Sequence, residues 1–124
     1  MQQKRILIID DDPITRLLIQ SFLKTENQYI VDSIESAQSG LAFIKHNDID
    51  LIVSDIEIDG MDGYELSQSL LLEEKTSSIP VILLSIRDED DVRRKSRDLN
   101  NIKKVVQKPY FRDQLLSDIE ELIN

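Results

Sequence analysis

The stretch Asp50-Leu51-Ile52-Val53-Ser54-Asp55-Ile56-Glu57-Ile58-Asp59-Gly60-Met61-Asp62-Gly63-Tyr64-Glu65-Leu66 decides the fold. Its apolar run, Leu51 to Val53, ends on an acid, Asp55. A loop holding Gly60 and Gly63 follows, and then an apolar-periodic segment begins, the order of a strand, a turn and a helix. In an open parallel sheet the chemistry sits outside the carboxyl ends of the strands, so an aspartate at this position points into the functional crevice. Taken alone, Asp55 reads better as a loop acid that merely ends a strand, and the rest of the chain has to decide.

Working outward, the same grammar recurs. Ile6 to Ile9 is an apolar run that halts at Asp10-Asp11-Asp12-Pro13. Pro13 suits the first position of a helix and Asp12 its N-cap, and Ile14, Leu17, Leu18 and Phe22 share one face of a helix running to about Thr25. Tyr29 to Ile34 mixes apolar and polar residues as an edge strand does, and Ser36 caps a helix carrying Ala37, Leu41 and Ile44. His46 lies near that helix's end, where it complements the dipole. The helix after Asp55 starts near Asp62 and buries Leu66, Leu70 and Leu71. Pro80 introduces Val81 to Leu84, which ends at Ser85. The next helix, Asp88 to Asp98, has only Val92 and Leu99 as apolar anchors and is expected to be the least stable of the set. Lys103 to Gln107 form a last strand. Lys108-Pro109 follows, and a final helix with Leu115, Leu116, Ile119, Leu122 and Ile123 runs to Asn124.

Five strands alternating with five helices predict an α/β fold, a parallel sheet with helices on both faces and right-handed crossovers. The runs at 6–9, 51–53 and 81–84 are apolar throughout and belong in the centre; those at 29–34 and 103–107 are diluted and belong at the edges. Strand order 2-1-3-4-5, the flavodoxin-like arrangement, satisfies this and brings Asp10, Asp11, Asp55, Ser85 and Lys108 towards one another.

Composition sets the outer bounds. A chain of 124 residues, 40% hydrophobic with three Gly and three Pro, is expected to make one domain over 1–124. The absence of cysteine excludes disulfides, thiolate metal sites and a cysteine nucleophile. No apolar run reaches membrane-spanning length and the opening residues do not read as a secretory leader, so a cytoplasmic chain off the membrane is expected. The net charge of −9 disfavours direct nucleic-acid binding. Residues 87–108 nevertheless hold eight of the fifteen basic residues against five acids. A solvated, mixed-charge face is the simpler account of that cluster.

With the acidic pair Asp10-Asp11, Asp55 followed by Met61-Asp62-Gly63, Ser85 and Lys108-Pro109 in place, the chain resembles the receiver domain of two-component response regulators over essentially its full length. Each motif is weak alone; all four at these spacings are specific. The resemblance implies that Asp55 is the phosphoacceptor and that Ser85 and Lys108 hold the phosphoryl group. It further implies a Mg²⁺ (or Mn²⁺) held by Asp10, Asp11, Asp55 and the backbone carbonyl of Glu57, and a cis Lys108-Pro109 bond. The implied partners are a histidine kinase or histidine phosphotransfer protein and a downstream protein or output domain. A homodimer through the fourth helix, fifth strand and fifth helix is also in keeping with it. The implied role is signalling, with self-dephosphorylation rather than a dedicated enzymatic activity.

The residue types make chemical sense without the analogy. A carboxylate accepts a phosphoryl group when the accumulated negative charge is offset. Clustered carboxylates raise one another's pKa unless a cation joins them, and a hard divalent ion with oxygen ligands does so. Lys108 adds a point charge, and Ser85 a hydrogen bond to a phosphoryl oxygen worth about 1.5–3 kcal/mol. Four positions depart from the family pattern. Asp59 stands where proline is usual, and Ser85 where Thr is commoner. Ile86 replaces a small residue and is expected to narrow access to Asp55. Val105 replaces the aromatic switch residue. Glu57 and Arg87 are long and oppositely charged, so a pair across the mouth is expected to modulate hydrolysis. Two other readings remain: a phosphorylation-independent interaction module of the same fold, and a metal-dependent phosphohydrolase of the haloacid-dehalogenase type built on Asp10 and Asp12.

Overall fold

The structure, a computed structural model, describes residues 3–25 and 28–123. Five parallel strands, β1 (Lys4–Ile9), β2 (Tyr29–Ile34), β3 (Leu51–Asp55), β4 (Val81–Ser85) and β5 (Ile102–Gln107), lie in the order β2-β1-β3-β4-β5. Each is followed by a helix: α1 (Pro13–Lys24), α2 (Ala37–His46), α3 (Gly63–Leu71), α4 (Glu89–Lys95) and α5 (Arg112–Ile123). The expected order is the observed one, with the apolar runs in the centre. Ile6 to Ile9, Leu51 to Val53 and Val81 to Leu84 are all fully buried.

Because side chains alternate along a strand, the central strands feed two cores. Leu7, Ile9, Ile52, Val81 and Leu83 point to one face, where Ala37 and Ile44 of α2, Leu66 and Leu70 of α3, and Val92 of α4 cover them. Ile6, Ile8, Leu51, Val53, Ile82 and Leu84 point to the other, covered by Ile19 and Leu23 of α1 and Leu115 and Ile119 of α5. Each such side chain contributes about 1.5–3 kcal/mol on burial. Two packed faces therefore hold the strand ends in fixed register, with Ile9 beside Ser54 and Asp55 beside Leu84.

Three expectations are corrected. The apolar face assigned to α1 is turned outwards: Ile14, Leu17 and Leu18 are 75%, 66% and 46% exposed, while Ile19 and Leu23 are buried and Phe22 lies at the margin of the core. α1 carries two adjoining apolar sectors, and the one that docks is fixed by the way the chain leaves β1. α4 is shorter than Asp88 to Asp98. The Ser96 hydroxyl and backbone N–H both bond the Val92 carbonyl, and the Leu99 N–H bonds back to Ser96 in a tighter turn, which closes the helix at Lys95. Leu71 and Leu99 are only partly buried. In α5, Leu115 and Ile119 are buried, and Leu116, Leu122 and Ile123 pack at the margin of the core; Asn124 lies outside the described residues. No helix among the described residues is long and apolar enough to cross a membrane.

Candidate functional site

The carboxyl ends of β1, β3, β4 and β5 converge, and each delivers one of the residues marked by the sequence. At the end of β1, the Asp10 N–H bonds the Ile34 carbonyl of β2 at 3.1 Å, so the residue is still held by the sheet. Its carboxylate is 1% exposed. Oδ1 accepts the Asp12 N–H at 2.9 Å, and Oδ2 is buried with no partner. Burial pushes the Asp10 carboxyl above its ordinary value, the Asp12 N–H draws it down, and the neighbouring charge of Asp55 raises it again. Asp12 has the separate task expected of it. It caps α1 by accepting the Ile14 N–H at 3.0 Å and the Thr15 hydroxyl at 2.9 Å, bonds that hold its own carboxyl below the usual range. Asp11 is exposed and takes no part in that cap.

Asp55 ends β3 with its side chain 14% exposed. Its Oδ2 accepts the Lys108 ammonium at 3.0 Å, and Oδ1 accepts the Glu57 N–H at 3.3 Å. The loop behind it is pinned at two points: the Ile56 N–H bonds Leu84 O at 3.1 Å, and the Gly63 N–H bonds Ile56 O at 2.9 Å. Glycine at position 63 suits this closure, because a Cβ there would stand 3.0 Å from Ile56 Cα and 3.1 Å from Asp55 O, tight contacts with backbone. Gly60, at φ 87°, supplies the left-handed turn beside Asp59. Ser85 links the last two strands. Its carbonyl accepts the Lys108 N–H at 2.7 Å, and its hydroxyl oxygen accepts the Arg87 N–H at 2.8 Å. The Lys108-Pro109 bond is cis, as the resemblance implied.

Around the mouth, Arg87 Nε donates to Glu57 Oε1 at 2.8 Å, the pair expected from their charges, with side chains 40% and 52% exposed. That bond raises the Arg87 pKa. Ile86, beside Arg87, is 70% exposed. Val105 packs against the core on the α4 side and lines a groove of about 350 Å³ between α4, β5 and α5, together with Pro109, Tyr110 and Phe111. The basic residues of 87–108 are largely engaged. Besides Arg87 and Lys108, Arg93 pairs with Glu89, Arg94 with Asp91 and Lys104 with Glu121.

Two residues were not singled out by the sequence. Arg16 donates from Nη1 to the Asp10 carbonyl at 2.6 Å and braces the β1 end; an arginine in the first turn after an acidic run is the signal that could have found it. Tyr110 is half-buried beside the site, where burial, with the charges of Asp10 and Asp55, pushes its phenol up to about 12. Its position next to Lys108-Pro109 was the available clue.

The oxygen donors suit a hard divalent cation. Asp10 and Asp55 are carboxylates on adjacent strands, and Asp10 Oδ2 is buried without a partner. Asp11 is close enough for its charge to act on Asp10. Among the described residues, however, no three His, Cys, Asp or Glu side chains are already drawn together as a metal cluster. In this state the Lys108 ammonium balances Asp55.

Comparison with known proteins gives the family. Residues 6–120 match the family model of the response regulator receiver domain, and the chain belongs to that family. It is 31% identical over 115 residues to the transcriptional regulatory protein HprR of Escherichia coli, covering 93% of this chain and 49% of HprR. The chain spans about half or less of the length of several such relatives. Among solved structures, the chemotaxis response regulator CheY4 of Vibrio cholerae superposes with a TM-score of 0.89 at 18% identity, over 98% of this chain and 99% of that one. The response regulator TrrA of Thermotoga maritima, solved in complex with Mg²⁺ and BeF, gives 0.82 at 28% identity over 97% and 99%. The family is one of signalling domains rather than dedicated enzymes, which sets the phosphohydrolase reading aside.

Proposed function

We propose that this domain receives a phosphoryl group on Asp55 from a phosphohistidine donor and, through it, changes the surface formed by α4, β5 and α5. The observation that carries this is the Lys108 ammonium 3.0 Å from Asp55 Oδ2, beside the buried, half-unpartnered carboxylate of Asp10. An Asp55 oxygen attacks phosphorus, the histidine N–P bond breaks, and the imidazole leaves with a solvent proton. Lys108 exchanges its contact with Asp55 for one with a phosphoryl oxygen, and the Ser85 hydroxyl donates to another. Asp10, Asp11, Asp55 and the Glu57 carbonyl would hold Mg²⁺ or Mn²⁺, whose charge offsets that of the carboxylates and phosphoryl oxygens. TrrA's complex with Mg²⁺ and BeF supports this assignment by relationship.

The donor is a histidine kinase or histidine phosphotransfer protein. Ile14, Leu17 and Leu18, exposed on α1 directly after the acids, and Phe111, three residues past Lys108, give it an apolar footing beside the site. The output is a downstream protein or a further domain, and the cytoplasm is its setting. Intact-mass measurement after treatment with a small phosphodonor tests the reading. A single phosphoryl adduct should form only with divalent metal and be absent in Asp55→Asn and Asp11→Ala. The same adduct in Asp55→Asn would refute the assignment.

A further inference from the structure

Tyr64 opens α3 and packs its ring into the core face that Val92 of α4 and Val105 of β5 complete. Its hydroxyl is buried and has no hydrogen-bond partner. A phenol loses its hydrogen bonds to water when buried, so an arrangement of the chain that supplied its hydroxyl with a partner would gain over this one. The charges that act on it most, those of Arg87 and Asp91, are on the segment that follows β4. Burial pushes the Tyr64 phenol up, Arg87 lowers it, and Asp91, in the first turn of α4, is the foremost acid acting on it, ahead of Asp62 and Glu57.

That segment is tied to the site through one residue. The Arg87 backbone N–H bonds the Ser85 hydroxyl at 2.8 Å, and its guanidinium bonds Glu57 at 2.8 Å. If Ser85 turns its hydroxyl to a phosphoryl group, both bonds come under load, and the first turn of α4 stands directly behind them. α4 resists little, since it buries only Val92.

We propose that Tyr64 is a switch-point residue: its hydroxyl, unmatched in the present state, donates to the Asp91 carboxylate once the segment between β4 and α4 shifts, and so favours the shifted state. The proposal rests on the phosphoacceptor reading above. A ligand or modification moves an equilibrium only through interactions that differ between the two states, and a hydrogen bond absent from one state and present in the other is such a difference. It also gives the α3 wall a part in a response that Val105, without a ring, does not supply.

The test is amide exchange across residues 88–99, with and without Mg²⁺–BeF, on wild type, Tyr64→Phe, Asp91→Ala and the double variant. The thermal midpoint of each protein is measured without the mimic. Tyr64→Phe should leave the midpoint unchanged or raise it, and should lower the equilibrium towards the shifted state about tenfold, a factor typical of one bond to a charged acceptor. Asp91→Ala should give the same loss, and the double variant no more than either alone. A lower midpoint for Tyr64→Phe would show that the hydroxyl is already bonded and overturn the proposal. So would a full response in Tyr64→Phe or additive losses in the double variant. If wild type forms no phosphoryl adduct, the functional reading itself fails; if the adduct forms in wild type and Tyr64→Phe responds equally, only the role of Tyr64 falls.

Discussion

The two walls of the site, β3 with α3 and β4 with α4, are built to different standards. α3 begins with a reciprocal capping box, in which Asp62 accepts the Glu65 N–H and Glu65 accepts the Asp62 N–H. It buries Gly63, Leu66, Ser67 and Leu70, and is stitched to the back of Asp55 through the Gly63 N–H. α4 has seven residues, one buried side chain and a single cap from Asp88 to the Asp90 N–H at 2.7 Å. Acids fill its first turn and bases its last, which suits the helix dipole. Its ion pairs are solvent-exposed, each worth about 0–1 kcal/mol. The difference teaches that one wall holds Asp55 through many contacts while the other has few to lose, and local opening is cheapest where few apolar contacts have to break.

The comparison is broken most severely at Gly63. Gly63→Val sets a branched side chain against Ile56 Cα and Asp55 O, backbone that cannot rotate away, and we expect a loss of about 3 kcal/mol in denaturant unfolding, with phosphorylation of Asp55 lost as well. Wild-type stability in Gly63→Val would mean that the α3 wall is not fixed.

Val92→Ala is the matching change on the other wall. It should cost about 2 kcal/mol by removing the one apolar anchor of α4, and the loss should appear first as faster amide exchange across residues 89–95, with α3 unaffected. Equal acceleration in both helices would show that the two walls open together.

Asp10 directly follows β1, the strand beside β3, and sharpens the comparison through pH. Its folded-state pKa is raised, chiefly by burial, so its contribution to stability is complete below the ordinary value of 3.8 and is lost as pH rises through the higher folded value. Without metal, Asp10→Asn should therefore stabilise the protein by about 1 kcal/mol at neutral pH and by little below 3.8. Thermal midpoints at the two pH values, with and without Mg²⁺, check this. Mg²⁺ should stabilise wild type far more than Asp10→Asn.

The smallest change in stability is expected at the mouth. Arg87→Ala breaks the exposed pair with Glu57 and should cost no more than about 1 kcal/mol, yet on the proposed phosphoacceptor reading it should open the phosphoryl group to water. The phosphorylated variant should lose its label faster than wild type at matched Mg²⁺. An unchanged rate would remove the pair from any role as a gate.

How much of this was legible in the chain differs from element to element. The strands were readable because a strand buried on both faces must be apolar at every position, and Ile6 to Ile9 and Val81 to Leu84 are. The site was readable because acids, a hydroxyl and a lysine directly after those strands have one crevice to enter. The inward face of α1 was not: periodicity finds an apolar stripe but cannot tell a stripe that meets the sheet from one that faces outwards, and Ile14, Leu17 and Leu18 proved to be the second kind.

The sequence by itself therefore determined the element order, the strand order and the residues that gather at the sheet's carboxyl edge, since these follow from local patterns of burial and charge. Tertiary structure alone decided which sector of α1 docks, that Lys108 rests on Asp55, that Asp10 keeps one oxygen unpartnered, and that Tyr64 buries a hydroxyl without a mate. Those outcomes depend on the distances between residues far apart in the chain, which are fixed only when two cores pack against the same sheet.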